Sequence, residues 1–346
     1  MRTNRLAMAV VALTSLLLTA APLSSSARAQ DAGFGAPELV EAARKEGSFT
    51  LYTTLLTENE IDLLKRFNAR FPFIKAGIVR APGGQLLTRV KTEAAAGRLA
   101  ADVINLSDRG LAAQIADLFA DYAPPNAADY PPETVTAGKL WPRATIAWTI
   151  AYNEALVKKP PASWMDLLDP IYKGQLGEVI ILSGGSTWGR AMFQRQVLGE
   201  DYWRRFAANA PALFPSGAPA SDALVRGEIA VLPVLTNQII PKAQAGAPVK
   251  WLFPPEGVPA MPLADGIPKT ATSPNAARLF LNWALSPEGQ AVMVREQALF
   301  SSLRNGPVPE GVDMSTLRLW IPDETETERL RAPWTEEWNR IFNYRQ

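Results

Sequence analysis

V-I-I-L-S-G-G-S-T-W-G-R, residues 179–190, is the stretch on which the reading of this chain turns. Four apolar residues, three of them β-branched, read as a buried strand. Ser183-Gly184-Gly185 follows as a turn whose backbone is almost bare of side chains. Ser186 or Thr187 is then placed to cap a helix carrying Met192, Phe193 and Val197. A strand that turns on glycines into a helix leaves free N–H groups and the positive end of a helix dipole facing one point. Such a point suits a phosphate, phosphonate or carboxylate. Alone, the stretch is first of all an ordinary strand-to-helix turn with a serine cap, and the rest of the chain has to decide.

Upstream, strand alternates with helix three times. A helix at Pro37–Glu46, with proline in its first turn and Gly47 past its end, leads to a strand over 48–55. Thr57-Glu58-Asn59-Glu60 has capping-box spacing, and the helix after it carries Ile61, Leu64, Phe67 and Phe71 on one face. A strand over 74–79, a helix opened by Pro82-Gly83-Gly84 and closed near Gly97, and a strand over 102–106 follow. This alternation predicts a parallel sheet with right-handed crossovers. Residues 123–132 turn to Pro, Asn, Asp and Tyr, a domain edge. A second strand–helix set runs from about 141 to 255, with strands at 143–153, 229–235 and 249–253 and a helix at 237–245. Ser273-Pro274 and Ser286-Pro287 each open a helix, and the tail reads as loop until an amphipathic helix at 334–344.

The N-terminus reads as a secretory signal peptide over 1–29. Arg2 and Arg5 precede an apolar run over 6–21, and Ala27-Arg28-Ala29 supplies the cleavage pattern. The run is short for a membrane span, so the expectation is a soluble, exported protein with room for two domains. Thirty-five basic residues face 34 acidic ones, which gives no general pull toward nucleic acid or anionic membranes. The absence of cysteine removes disulfides, thiolate metal sites and a lipid anchor. The absence of histidine removes Ser-His-Asp and Cys-His catalysis and the common zinc sites. No phosphate-loop or dinucleotide glycine fingerprint is present. An enzyme could still use carboxylates, lysine or tyrosine, but the usual catalytic and metal options are largely closed and no cofactor is expected.

In doubly wound sheets, ligands sit beyond the carboxyl ends of strands. That rule selects Thr53 and Thr54, the turn holding Gly84 and Gln85, and Ser107-Asp108-Arg109 from the first unit. From the second it selects Ser183, Gly185, Ser186, Thr187, Trp188 and Asn237. Two facing lobes would bring these loops onto one cleft. Arg143 and Asp265 join the candidates as a cation and a second carboxylate, a surface hinge residue being the plainer reading of Arg143. Each has a plainer reading: Arg109 as the start of a helix, Trp188 as core, Thr53 and Thr54 as strand-end caps. Trp148, Trp203 and Trp283 are assigned to the core.

Ordered short motifs then carry a resemblance. They are Y-T-T at 52–54, A-D-V at 101–103, A-Y-N at 151–153, and P-A-S-W-M-D-L-L-D-P-I-Y-K-G at 161–174. R-G-E at 226–228, G-A-P-V at 246–249, P-P-E-G at 254–257, S-P-N-A-A-R-L-F-L-N-W at 273–283 and S-P-E-G-Q at 286–290 continue them. Together they resemble family 1 of the extracellular solute-binding proteins, in the ferric-ion-binding-protein-like branch of ATP-driven importers. The resemblance implies an α/β, two-lobed periplasmic-binding-protein type II fold. Each lobe would be a mixed, mostly parallel sheet flanked by helices, with the ligand cleft between. It places lobe 1 at 30–140 plus 256–305, lobe 2 at 141–255, and a C-terminal segment at 306–346 packed on lobe 2 or the hinge. It also implies a monomer that hands a small molecule to a membrane permease with its ATPase.

Iron-binding members hold ferric ion with adjacent tyrosines. The matching place here is Leu235-Thr236-Asn237, and the chain has no tyrosine pair. Hard ferric ion requires anionic oxygen ligands. Members without the tyrosines take phosphorylated or phosphonate compounds, thiamine or polyamines. Arg80, Arg109, Arg143, Gln85, Asn237 and Gln238 outnumber Asp108 and Asp265 among the candidates, so a small organic anion is the expected ligand. The competing readings are a ferric, thiamine or polyamine receptor, a ligand sensor for a membrane signalling protein, and an exported carboxylate-dependent enzyme.

Overall fold

The computed structural model describes residues 33–345, so the expected signal peptide lies outside the described residues. The first lobe opens with helix α1 (Pro37–Glu46), closed by Gly47 in the left-handed region at φ 67°, which favours glycine. Strand β1 (Ser48–Thr53), helix α2 (Thr57–Arg70), strand β2 (Lys75–Arg80), helix α3 (Gly83–Ala95), strand β3 (Val103–Leu106) and the short helix α4 (Arg109–Ala113) follow. β1 pairs in parallel with both β2 and β3, as the alternation of strand and helix requires. On α2, Leu63, Leu64 and Phe67 are buried, and Phe67 meets Phe49 of β1 edge-on at 6.1 Å between ring centres.

The capping box expected at residues 57–60 does not form. Leu56 occupies the N-cap without a side-chain bond, and the Glu60 carboxylate is buried facing Arg143 instead.

The second lobe is built around β4 (Thr145–Asn153), buried along all but one of its residues. Strand β5 (Gly177–Val179), helix α5 (Gly185–Gln196), helix α6 (Tyr202–Ala208), strand β6 (Ala212–Phe214) and helix α7 (Gly217–Arg226) come next. Strand β7 (Val231–Leu235), helix α8 (Thr236–Gln244) and strand β8 (Val249–Leu252) complete the set. β4 runs antiparallel to both β7 and β8, which corrects the expectation of a mostly parallel sheet here. The chain enters this lobe along β4, starting at the cleft, whereas β7 arrives at the cleft by its carboxyl end. The two must therefore oppose each other. The apolar run 179–182 is also only partly strand. β5 ends at Val179, and residues 181–183 make a single 3₁₀ turn that leaves Leu182 exposed.

The chain returns along β9 (Val258–Pro262), antiparallel to the start of β4, and β10 (Ala264–Gly266), which joins β3 in the first sheet. Helices α9 (Pro274–Leu285) and α10 (Pro287–Gln297) complete that lobe, and the Ser286 hydroxyl accepts the Gly289 N–H at the start of α10. Strand β11 (Leu319–Trp320) pairs with β9. The final helix, α11 (Glu324–Ile341), begins ten residues earlier than its periodicity predicted. Pro333 lies inside it, and Asp323 caps it by accepting the Glu326 N–H at 2.9 Å. Its Trp334 meets Trp203 of α6 and Trp188 of α5. Among the described residues, no helix is long and apolar enough to cross a membrane.

Candidate functional site between the lobes

A cleft of about 1040 Å³, including space open to solvent, separates the lobes. The first lobe contributes Thr54, Leu55, Leu56, Arg80, Pro82, Gly83 and Ser107. Ile146 and Trp148 of β4 form part of the wall. The second lobe adds Val179, Ser183, Gly184, Ser186 and Thr187, the turn Pro215-Ser216-Gly217-Ala218, and Leu235, Asn237 and Gln238.

Four helices begin at this cleft: α3 after Pro82, α5 after Gly184, α7 after Ser216 and α8 after Leu235. None receives a cap from its N-cap side chain, so these first turns present N–H groups and the positive ends of four helix dipoles. Among the described residues, no Asp or Glu lines the cleft, and Arg80 is the one charged side chain that does. Arg80 is exposed, and among the described residues it makes no side-chain hydrogen bond or ion pair. Asn237 Oδ1 and Gln238 Oε1 are buried without partners, which leaves two amide acceptors at the same wall. The Gln238 amide lies directly over Gly217, so a side chain there would displace the end of Gln238 from this wall.

The family model for bacterial extracellular solute-binding proteins matches residues 53–291. The chain belongs to that family. Among solved structures, the periplasmic binding protein AfuA from Actinobacillus pleuropneumoniae, with fructose-6-phosphate bound, has a TM-score of 0.73 at 21% identity, covering 86% of this chain and 99% of that one. Iron-bound HitA from Pseudomonas aeruginosa has a TM-score of 0.70 at 19% identity, covering 85% and 99%. These likenesses establish the two-lobed fold. A protein of Haemophilus influenzae described as uncharacterised is 28% identical over 170 residues, or 47% of this chain and 49% of that one. The chain thus spans about half the length of this curated relative.

In this solute-binding protein, Thr54, Ser107, Ser183, Ser186, Thr187 and Asn237 all line the cleft, as the sequence rule selected. The Thr54 hydroxyl accepts the Ser107 N–H at 3.0 Å, which ties two of the cleft loops together. Thr187 is more committed than Ser186. Its hydroxyl accepts the Gly184 N–H at 3.1 Å and lies 2.6 Å from the Gly184 carbonyl, so it fastens the turn. The Ser186 carbonyl accepts the Trp148 indole N–H at 3.0 Å, so Trp148, assigned to the core, also braces the glycine turn at the cleft.

Other expectations need correction. Gly84 and Gln85 are exposed on α3 and do not line the cleft, because only the first residue of that helix faces it. Asp108, Arg109, Gly185 and Trp188 line a smaller recess beside it, where the two lobes touch. Asp108 caps α4 by accepting the Leu111 N–H, Arg109 donates to the Thr136 hydroxyl, and Trp188 is buried against α11.

Thr53, Arg143 and Asp265 are fully buried in a polar network of their own. Arg143 donates to both oxygens of Glu60 and, at 2.7 Å, to Asp265. Thr53 donates to Glu60 at 2.5 Å, and Asn105 donates to Asp265 at 2.9 Å. Burial pulls the Arg143 guanidinium down, but the Glu60 and Asp265 carboxylates outweigh it and hold the group above its usual range. Burial pushes the Asp265 carboxyl up to about 6, against the pull of Arg143 and Asn105. Behind Trp148, burial likewise raises Glu178 to about 7 against the charge of its partner Arg190.

Sequence reasoning missed the Pro215-Ser216-Gly217-Ala218 turn. Its signal was a Ser-Gly pair between a short apolar run and a helix, the same logic as the glycine turn at 183–185. Among the described residues, no group of three or more Asp, Glu, His or Cys is placed to hold a metal.

Proposed function

We propose that this protein is the receptor of an ATP-driven importer, working outside the cytoplasmic membrane and capturing a small organic anion as its lobes close. One observation carries the reading. Among the described residues, four helix starts and an unpaired arginine face a cleft that contains no carboxylate. Backbone N–H groups at helix starts favour phosphate or carboxylate oxygens, and the guanidinium fork pairs with the same groups. The free amide oxygens of Asn237 and Gln238 suit hydroxyls on the rest of the molecule, so a hydroxylated phosphate ester, phosphonate or hydroxy acid fits best. The fructose-6-phosphate bound in the Actinobacillus structure belongs to that class.

Ferric ion lacks anionic oxygens in this cleft, and a cation such as thiamine or a polyamine lacks a carboxylate partner. The protein acts as a monomer that delivers the anion to a membrane permease and its ATPase, without turning it over. A thermal-shift panel of sugar phosphates, phosphonates, hydroxy acids, thiamine, spermidine and ferric citrate tests the reading. A solute at about 100 times its dissociation constant adds about 2.7 kcal/mol, which is several degrees in a chain of this size. Stabilisation by one anionic class is expected. Stabilisation by spermidine, thiamine or ferric ion alone overturns the reading.

A further inference from the structure

The C-terminal helix α11 is anchored on the second lobe by Trp334, which meets Trp203, and by Glu337, which pairs with Arg195, yet its first half reaches the first lobe. Arg331 donates to Asp108 Oδ2 at 2.6 Å, and Gln114 donates to Glu328 at 3.1 Å. A side chain on Gly110 would touch the Thr327 methyl at 3.3 Å, so the two surfaces are in close contact there.

Three details make the Arg331–Asp108 pair more than a surface ion pair. The Asp108 side chain is only 3% exposed, and its other oxygen is already held by the Leu111 N–H. The Arg331 guanidinium lies 5.3 Å from the ring centre of Trp188, in the first turns of the helix that begins at the glycine turn. Directly beside the pair, Gly185 of the second lobe leaves no room for a side chain against Asp108 of the first. The loop after β3, the start of α5 and the C-terminal helix thus meet at one point. Lobes that open about the β4–β9 connection must break the pair there.

We propose that Arg331, which touches no part of the cleft, latches the lobes together and sets the closed fraction before any solute arrives. This rests on the lobe-closure part of the reading above and not on the nature of the solute. An affinity that appears to belong to the cleft is then shared with a helix outside it, because the measured affinity scales with the fraction of protein in the binding-competent state.

The chain has no cysteine, so spin labels on Thr88→Cys in α3 and Gln244→Cys in α8 report one interlobe distance by pulsed electron resonance. Both positions are exposed and lie on helices that begin at the cleft from opposite lobes. The measurement uses solute-free protein. With Arg331 intact, a short-distance population is expected. Arg331→Met, which keeps the aliphatic stem over Trp188, should lower the closed-to-open ratio about tenfold, and Arg331→Lys should retain most of it. Sodium chloride at about 1 M, acting on the unmodified latch through the part-exposed Arg331, should shift the ratio the same way but by less than the substitution, because the buried Asp108 is poorly screened. This guards against a misfolded variant. Identical distance distributions before and after the Arg331→Met substitution, in a folded protein, overturn the proposal. So does a result in which Gly185→Ala opens the lobes and Arg331→Met does not, since packing rather than the pair would then hold them. Because no solute is present, these outcomes stand apart from those of the thermal-shift panel.

Discussion

Two polar clusters lie near each other in this protein and behave in opposite ways. At the buried network, Arg143, Glu60, Asp265, Asn105 and Thr53 are sealed from solvent and face one another. At the cleft, Arg80, Asn237 and Gln238 have, among the described residues, no partner for a charge or an amide oxygen, and four helices start without N-cap side-chain bonds. Charge density is greater in the first cluster, whereas unmet hydrogen-bonding capacity is greater in the second. A ligand is recognised by what the protein leaves unmet, because a group already satisfied gains nothing from it. The network holds the loops in place, and the cleft waits.

The largest effect that tests this contrast is on stability. Arg143→Met should cost about 3–5 kcal/mol in chemical denaturation, because it strands two buried carboxylates. A loss under about 1 kcal/mol would break the claim that the network is structural.

A pH profile sharpens the same point. Asp265 is raised from 3.8 to about 6, and Glu178 from 4.5 to about 7. The folded state therefore holds protons that the unfolded chain has already released, so stability falls as pH rises from the unfolded values through the folded ones. With no histidine in the chain to titrate in that range, stability should decline from about pH 5 to about pH 7. A flat or rising curve over that interval contradicts the burial of these two carboxyls.

Smaller still, Thr187→Ala should cost about 1 kcal/mol, because it removes the bond to the Gly184 N–H. Ser186→Ala should leave stability within about 0.5 kcal/mol while weakening an anionic solute. Equal stability losses at the two positions would erase the distinction between a turn fastener and a cleft hydroxyl.

How far the chain could be read in advance follows the same division. The first lobe was legible because its signals are local: alternating strands and helices, Pro-first helices, and the glycine after α1. Most of the cleft loops were legible because strand ends and glycine turns mark them, the turn at 215–218 being the one missed. Arg143 was not, since its partners Glu60 and Asp265 stand 83 and 122 residues away and no local pattern announces them. Glu60 misled for a related reason, since a glutamate at capping-box spacing looks the same whether it turns back to its own helix or faces a distant arginine. The start of α11 was hidden by Pro333, which reads as a helix breaker and here sits mid-helix, where aromatic packing against Trp203 and Trp188 outweighs its local cost.

The most direct test is a calorimetric titration of wild type and Arg80→Ala with whichever compound raises the thermal midpoint most in the panel. Arg80 is exposed and unpaired, so its loss should leave stability unchanged within about 0.5 kcal/mol. Pairing with an anion predicts a loss of affinity of about tenfold or more. Unchanged affinity would contradict the account and mean that the unmet groups of this cleft do not mark where its solute is held.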